Sequence, residues 1–345
     1  MKKFITMGLA TIMALSLAAC GGSSSSSSSS SASASAAGKT GEKVSLNLSV
    51  TTSETSTWTQ AANKFAEDVA AKTDGNVEIK VYPNEQLSGG NQAKGIEMLR
   101  NGSMDIGFYA NGNYSVLDER FITVNLPFMF KNAEEADEVM AGEGGEKYKE
   151  LCDEQNVTAL GFGENGFRQI TNSVRPIENV DDIKGMKIRI PTIKMYISLY
   201  KALGANPISM NFSEVFTSLQ QGAIDGQENP IDTINSAKLQ EVQKYISIWD
   251  YSYDILIVGM NKDKFNSLPE EYQQVLTECA EDACEYQKQL NRDSESEKLD
   301  GFEDAGMTIS RLTNEQKEAF KEACAPVYEE YEPIIGKDFI DCFRK

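Results

Sequence analysis

Predicted strands and helices alternate regularly near the start of the chain, and this order restricts the fold more than any other sequence feature. Residues 44–50 alternate apolar and polar side chains, which is the pattern of a strand with one buried face. The next predicted elements are a helix at 58–73, a strand at 76–83, a helix at 89–103 and a strand at 104–110. This order predicts an α/β fold with a mostly parallel sheet and right-handed crossovers.

The same alternation returns after a helical region at 133–155. Strands are predicted at 157–162, 167–173, 186–190, 205–210 and 223–229, and helices at 192–204 and 212–222. Residues 245–261 form a long β-rich run that we expect to cross back to the first half of the chain. Residues 268–306 read as one very long helix, which must either kink or brace both halves, and a further helix is predicted at 313–332.

The doubled pattern predicts two lobes. Roughly 300 globular residues exceed what a single hydrophobic core usually serves. A chain that passes between two α/β lobes more than once is typical of a hinged clamshell with its ligand site between the lobes. We expect lobe I at 43–165 and the main part of lobe II at 166–250. Residues 251–345 are expected to return to lobe I, with a long hinge-bracing helix and C-terminal helices.

Residues 1–19 have the form of a signal peptide, with a basic start, an apolar run and small residues before Cys20. A cysteine at this place resembles the lipobox of bacterial lipoproteins, in which the thiol is lipidated. A plain secretory signal followed by a chance cysteine is the alternative. Residues 20–42 include nine consecutive serines and predict a flexible tether. We therefore expect an extracytoplasmic protein, lipid-anchored to the outer face of the cell membrane or located in the periplasm.

The composition excludes several classes of function. The chain contains no histidine, so Ser-His-Asp and Cys-His catalysis and histidine-based metal sites are excluded. We expect no cofactor and no metal ion. The net charge of −19 argues against nucleic-acid binding, because a phosphate backbone requires a basic surface. A small anionic ligand remains compatible with this charge, because the local field of a pocket can oppose the global one.

The cysteines leave two interpretations open. Without Cys20, the chain has an odd number of cysteines and no C-x-x-C spacing, so at least one thiol is free or pairs between chains. These cysteines are Cys152, Cys279, Cys284, Cys324 and Cys342. They are either buried apolar thiols or include a disulfide, for which Cys324 with Cys342 is one option. We expect a monomer.

Residues 185–191 read GMKIRIP and predict a short strand. Lys187 and Arg189 share one face of this strand, and periodicity alone favours two solvent-facing charges. Arg189, however, lies where the strand ends before Pro191, and ligands of open α/β sheets bind beyond the carboxyl ends of the strands. A guanidinium can also bind a carboxylate through two parallel hydrogen bonds, which a lysine cannot do.

Three further residues of lobe II are candidates. Arg168 begins a predicted strand and either makes an ion pair or contacts a ligand. Asn229 precedes Pro230, and its amide offers a donor and an acceptor, although a turn satisfied by local backbone is the alternative. Phe212 precedes a helix start and either packs in the core or lines a pocket.

Lobe I offers weaker candidates in the loops after its first and third strands. Ser53, Glu54 and Asn111 lie in these loops, where hydroxyl and amide groups can bind the hydroxyl groups of a sugar. Trp58, at the start of the first helix, belongs either to the core or to a pocket wall.

Three long segments resemble the DctP-type solute-binding proteins of tripartite ATP-independent periplasmic (TRAP) transporters. They read GFRQITNSVRPIENVDDIKGMKIRIP, NFSEVFTSLQQGAIDGQENP and KFNSLPEEYQQVL, and the resemblance extends from about residue 43 to 330. It implies a two-lobed clamshell similar to periplasmic binding proteins, which binds an organic acid. The ligand would pass to membrane permease subunits driven by an ion gradient. The resemblance implies a transport protein and not an enzyme.

The resemblance also implies roles for individual residues. It places the family's carboxylate-clamping arginine at Arg189, with a second ligand contact at Arg168. It places a ligand-binding amide at Asn229 and an aromatic pocket wall at Phe212. A sugar acid is the favoured ligand, and a C4-dicarboxylate or another small carboxylic acid is the alternative. A ligand-binding subunit of a sensor system and, less favoured, a secreted glycosidase with two carboxylates are rival functions.

Overall fold

The computed structural model describes Gly41 and residues 43–345. The predicted signal peptide, Cys20 and the tether apart from Gly41 therefore lie outside the described residues. Within residues 43–345, no helix combines the length and the apolar character that a membrane span needs.

Ten strands hydrogen-bond into one continuous sheet in the described part of the chain. They are β1 (Val44–Val50), β2 (Val77–Tyr82), β3 (Ile106–Ala110), β4 (Val157–Asn172), β5 (Lys187–Ile190), β6 (Asn206–Ser209), β7 (Gly226–Pro230), β8 (Tyr245–Ile248), β9 (Tyr253–Asn261) and β10 (Thr308–Arg311). The spatial order is β2-β1-β3-β9-β4-β7-β5-β6, and β10 and β8 form a branch that joins β4. The sequence patterns predict all of these strands except β10.

Helices cover both faces of this sheet. They are α1 (Thr57–Lys72), α2 (Gln92–Arg100), α3 (Ala133–Met140), α4 (Glu143–Glu154), α5 (Lys194–Ala202), α6 (Val215–Gln220), α7 (Ile231–Ser236), α8 (Lys262–Asn266), α9 (Glu270–Asp293), α10 (Glu295–Asp304), α11 (Asn314–Ala323), α12 (Ala325–Ile335) and α13 (Lys337–Asp341). Short 3₁₀ turns occupy much of the connection between β3 and α3, which the sequence patterns leave unassigned.

The first half of the chain forms the predicted parallel arrangement. β1 pairs in parallel with both β2 and β3, as the alternation of strands and helices predicts. α1 follows the N-cap Ser56, whose hydroxyl accepts a hydrogen bond from the backbone N–H of Thr59. The apolar face of this helix buries Phe65 and Val69 against the sheet, which fixes the position of its first turn.

β4 is a single strand of 16 residues where the sequence predicts two. Its residues up to Phe167 pair with β9, and its residues from Arg168 pair with β7. Gly166 lies at the changeover with a φ of +98°, which a glycine adopts without the strain of a side chain. The changeover divides the sheet into sheet A, with β1, β2, β3, β9 and the first part of β4, and sheet B, with the remainder.

The long helical pattern at 268–306 is broken at Ser294, which separates α9 from α10. The Ser294 hydroxyl donates a hydrogen bond of 2.5 Å to the carbonyl oxygen of Leu290, and such back-bonding bends helices. The kinked alternative is therefore confirmed. α9 packs on sheet A, whereas Phe302 of α10 is buried in a cluster on sheet B, so the bent pair spans both lobes.

The last part of the chain differs from the expected return to lobe I. β9 and α9 do pack in lobe I, but β10 pairs with β8 in sheet B. Phe320 of α11 and Val327 of α12 are buried in one cluster with Ile188 and Tyr196, which belong to sheet B and its helix α5. The apolar faces of α11 and α12 thus pack in the core of the second lobe.

The described chain holds its five cysteines as free thiols. Cys324 is 1 % exposed in the sheet B core, and burial raises the pKa of its thiol to about 12. Cys342 is partly exposed, with its sulfur 3.4 Å from a carboxylate oxygen of Glu143. The disulfide considered between Cys324 and Cys342 is therefore wrong, and burial in apolar surroundings accounts for most of these thiols.

Candidate functional site

A cavity lies between the two sheets, at the carboxyl ends of β1, β3, β5 and β7. This is the place where open α/β sheets bind their ligands. The residues that line it come from both lobes and are mostly buried. They are Thr51, Thr52, Trp58, Gln92, Ala110, Gly112, Asn113, Asn165, Arg168, Arg189, Pro191, Ile193, Phe212, Asn229, Thr233 and Asp254.

Arg189 lies one residue before the end of β5 and is only 1 % exposed. Its Nε and Nη2 atoms donate hydrogen bonds of 3.1 and 2.7 Å to the carbonyl oxygen of Met210. The ring of Phe212 lies 5.7 Å from the guanidinium carbon, within the range of a cation–π contact. Lys187, on the same strand, is exposed, so the two charges of the GMKIRIP segment are not equivalent.

The charge of Arg189 has no anionic partner among the described residues, which form no salt bridge with it. Burial lowers the pKa of Arg189 to about 9, Glu228 opposes this shift, and the positive charge of Arg168 adds to it. The guanidinium is therefore still protonated at neutral pH. A buried cation without a partner is costly, so an anion that entered the cavity would stabilise it.

Arg168 also lines the cavity, but its charge is already compensated. Its Nε and Nη1 atoms donate short hydrogen bonds to Glu228 and Asp254, and its Nη2 atom donates to Glu228 at 2.8 Å. Burial alone would lower its pKa, but the two carboxylates raise the pKa of Arg168 well above its usual value. Because Asp254 belongs to sheet A and Glu228 to sheet B, this ion-pair group joins the two lobes.

Asn229 and Phe212 complete the wall around Arg189. The Oδ1 atom of Asn229 accepts a hydrogen bond of 3.2 Å from Arg168, and its Nδ2 atom donates to Gln227 at 2.5 Å. These bonds fix the orientation of the amide. The structure therefore brings together the four lobe II residues that the sequence singles out.

The opposite wall belongs to lobe I, and its described lining residues include no cation. Thr51 donates its hydroxyl proton to the carboxylate of Glu85 at 2.7 Å. The Nε1 atom of Trp58 is buried and has no hydrogen-bond acceptor in the described part of the chain. The remaining polar groups of this wall belong to Thr52, Gln92, Asn113, Asn165 and Asp254. Apart from Asp254, whose charge is paired with Arg168, this wall is thus rich in hydroxyl and amide groups.

Residues 48–333 match the model of a protein family described as bacterial extracellular solute-binding protein, family 7. The chain belongs to this family. It is an extracytoplasmic solute-binding protein of the TRAP type, and its family consists of transport proteins, not enzymes. The resemblance to DctP-type proteins and the two-lobed α/β fold are confirmed by this match and by the solved structures of relatives.

Three relatives illustrate the similarity. The 2,3-diketo-L-gulonate-binding periplasmic protein YiaO of Escherichia coli K12 is 35% identical over 279 residues, covering 81% of this chain and 84% of that protein. The sugar acid binding protein DctPAm from Advenella mimigardefordensis, in complex with galactonate, has a TM-score of 0.84 and 30% identity, over 88% of this chain and 97% of that one. A TRAP periplasmic solute binding protein from Sulfurospirillum deleyianum with bound succinate has a TM-score of 0.83 and 27% identity, over 88% and 98%.

Asn111 does not reach the cavity of this solute-binding protein. Its Nδ2 atom donates hydrogen bonds of 2.7 Å to the carbonyl oxygen of Phe121 and to the side chain of Asn125. Its Oδ1 atom accepts a hydrogen bond of 3.1 Å from the backbone N–H of Ile255. The expectation of a ligand contact is corrected, because Asn111 is completely buried and uses its amide to hold the loop after β3 against β9.

Two other lobe I candidates also lie outside the cavity. The hydroxyl of Ser53 donates a hydrogen bond of 2.9 Å to the carbonyl oxygen of Ser236, across the interface of the lobes. Glu54 is exposed to solvent, where its charge is well hydrated. The neighbouring Thr51 and Thr52 line the cavity instead, because the turn after β1 directs them inward. Cys20, the expected lipidation site, lies outside the described residues.

The sequence patterns miss a network of hydrogen-bonded side chains in the cavity of the binding protein. Asn165 donates a hydrogen bond of 2.9 Å to Asp254 and accepts one of 3.1 Å from the hydroxyl of Thr233. A sequence signal for Asp254 does exist, since it is the one charged residue in the mostly apolar strand β9. Carboxylates are almost never fully buried unless they are paired, so its position predicts a buried ion pair.

Proposed function

We propose that this protein binds a sugar acid with a single carboxylate and delivers it to an ion-gradient-driven TRAP permease. The observation that carries this proposal is the asymmetry of the cavity. One wall holds Arg189, a buried cation without an anionic partner, and the other wall holds hydroxyl, amide and indole groups together with Asp254, whose charge is already paired with Arg168. A ligand that matches both walls has an anionic end and a hydroxyl-rich end.

The carboxylate would bind at Arg189. Met210 and Phe212 already hold the guanidinium in place, so little side-chain entropy would be lost on binding. Removing one partner of a charge-assisted pair in a closed cleft costs about 2–5 kcal/mol of binding free energy. This pair would therefore determine much of the ligand affinity. The amide of Asn229 lies beside this position and offers a further polar contact.

A second carboxylate would find no comparable partner. Arg168 is the other cation of the described cavity lining, and Glu228 and Asp254 already neutralise it. A C4-dicarboxylate would therefore bury one carboxylate without compensation, which costs free energy.

A thermal-shift and calorimetric screen tests the ligand class. The probes are galactonate, glucuronate, 2,3-diketo-L-gulonate and succinate, and each is measured with the full-length protein. We expect at least one sugar acid to bind more tightly than succinate. Ligand at 100 times its Kd would stabilise the protein by about 2.7 kcal/mol. Tighter binding of succinate than of every sugar acid would replace this proposal with the dicarboxylate alternative.

We further propose that Cys20 carries the lipid anchor, on the support of the apolar and small residues that precede it. The wild type is expected to incorporate labelled palmitate and to sediment with membranes, whereas Cys20→Ala is expected to do neither. Cys342→Ala serves as the control, because Cys342 lies near the other end of the chain.

Uptake of the labelled sugar acid by cells with and without the gene distinguishes a transport role from a sensor role.

A further inference from the structure

Glu85 is a buried carboxylate that takes no part in the proposed carboxylate site at Arg189. It follows β2, is 2 % exposed, and accepts three hydrogen bonds from hydroxyl groups. Thr51 and Ser88 each donate at 2.7 Å, and Tyr109 donates at 3.0 Å. Burial raises the pKa of Glu85, and the three hydroxyl donors oppose that shift. Of these donors, only Thr51 lines the cavity in the described structure.

The surrounding backbone is built to accommodate this carboxylate. Glu85 has a φ of 54°, in the left-handed region that is unfavourable for a residue with a side chain. A Cβ atom at Gly95 of α2 would lie 2.2 Å from the hydroxyl oxygen of Tyr109 and 3.0 Å from Oε2 of Glu85. A strained backbone and a glycine inside a helix both reduce stability, and such features concentrate at functional sites.

The consequence for the cavity concerns the direction of hydrogen bonds. The carboxyl oxygens of Glu85 accept from three hydroxyl groups, and the bond from Thr51 uses the single hydroxyl proton of that residue. The oxygen of Thr51 can then only accept a hydrogen bond from a ligand. A ligand hydroxyl can donate that bond, whereas a ligand carboxylate has no proton to donate.

We propose that Glu85 is a positioning residue that sets ligand selectivity through Thr51. It fixes Thr51 as an acceptor, so the lobe I wall favours a ligand hydroxyl and disfavours a second carboxylate. This inference rests on the proposed sugar-acid function and assigns the selectivity to a residue outside the cavity lining.

The test compares galactonate and succinate, or the tightest-binding sugar acid of the screen in place of galactonate. In Glu85→Gln the amide can donate to Thr51, which frees the Thr51 proton to point at the ligand. We expect the ratio of galactonate to succinate affinity to fall by about tenfold or more, since the ligand hydroxyl then meets a donor in place of an acceptor. A merely structural role would weaken both ligands equally and leave the ratio unchanged.

Two further variants make the test independent of how Glu85→Gln folds. Thr51→Val keeps the volume and removes the acceptor, so it should lower the same ratio by itself. In the Thr51→Val background, Glu85→Gln should cause no additional change, because the carboxylate acts through Thr51. Ser88→Ala is the matched control, since it removes another donor to Glu85 without altering the cavity lining.

The outcomes separate the two proposals. An unchanged ratio in Thr51→Val, or an effect of Glu85→Gln that persists in the Thr51→Val background, overturns the role of Glu85 alone. Failure of the wild type to bind any sugar acid overturns the proposed function, and this inference with it.

Discussion

The carboxylate of Asp232 accepts hydrogen bonds from both the backbone N–H and the hydroxyl of Thr57, at 3.1 and 3.0 Å. Asp232 lies in the first turn of α7 beside sheet B, whereas Thr57 begins α1 on sheet A. Lys298 of α10 donates to the same carboxylate at 2.7 Å. A negative charge at a helix N-terminus is favourable, and both partners are almost completely buried. This contact joins the two lobes without lining the cavity.

Removing this contact should weaken the binding of every ligand to the same extent. Asp232→Asn keeps the size of the side chain but loses the charge that faces α1 and Lys298. The closed arrangement of the lobes becomes less favourable, so we expect calorimetry to give about tenfold lower affinity for each ligand. Asp181→Asn is the control, because Asp181 forms only an exposed pair with Lys184. A change in the ratio between two ligands would instead indicate that Asp232 acts on the ligand itself.

Replacement of Arg189 should separate binding from stability. Arg189→Lys loses the paired geometry of the guanidinium, and we expect ligand affinity to fall by about 2–5 kcal/mol. Arg189→Met should abolish binding and raise the melting temperature of the ligand-free protein, because it removes a buried cation that has no partner. Arg175→Lys is the control, since its guanidinium makes one exposed contact to a backbone carbonyl. Retained affinity in Arg189→Lys would contradict the clamp.

Replacement of Arg168 should have the opposite effect on stability. Arg168→Met leaves the buried carboxylates of Glu228 and Asp254 without their cation. Removing one member of a buried ion pair costs about 3–5 kcal/mol, so urea denaturation should show a large loss. Equal stability of Arg168→Met and Arg189→Met would show that the two arginines do not differ in the way described.

Trp58 offers a test with two distinct results. Its Nε1 atom is buried next to the cavity without an acceptor in the described chain, and an unsatisfied buried donor costs about 1–3 kcal/mol. We expect a ligand oxygen to accept a hydrogen bond from Nε1, so Trp58→Phe should weaken ligand binding. Loss of this donor should not lower the stability of the ligand-free protein, because the donor has no partner there. Unchanged affinity in Trp58→Phe would show that the ligand does not contact this group.

Much of the fold follows from local patterns. The strands at β1, β2 and β3 are predictable because each has a periodic buried face and a clear turn at its end. The union of two predicted strands into β4 is not predictable in this way. It depends on Gly166, which reads as a turn signal in sequence but here continues the strand while it changes partners. β10 is short and its pairing with β8 is set by packing.

Site residues can be predicted from the sequence only where the residue type and its position together favour one role. Arg189 stands out because an arginine at a strand end is suited to bind a carboxylate. Asn111 is misjudged because a polar residue in a loop looks the same in sequence whether it faces a ligand or holds the loop. Glu85 escapes notice for a related reason, since a carboxylate in a turn is normally exposed. Only three-dimensional contacts distinguish these cases.

The continuity of β4 has a consequence for how the protein unfolds. The first part of this strand pairs in sheet A and the second part in sheet B, so the two sheets are joined by a continuous strand without a flexible linker. The bent pair of α9 and α10 adds a second shared element. Two bodies that share their elements lose structure together, so heating should produce one cooperative transition although the molecule has two lobes.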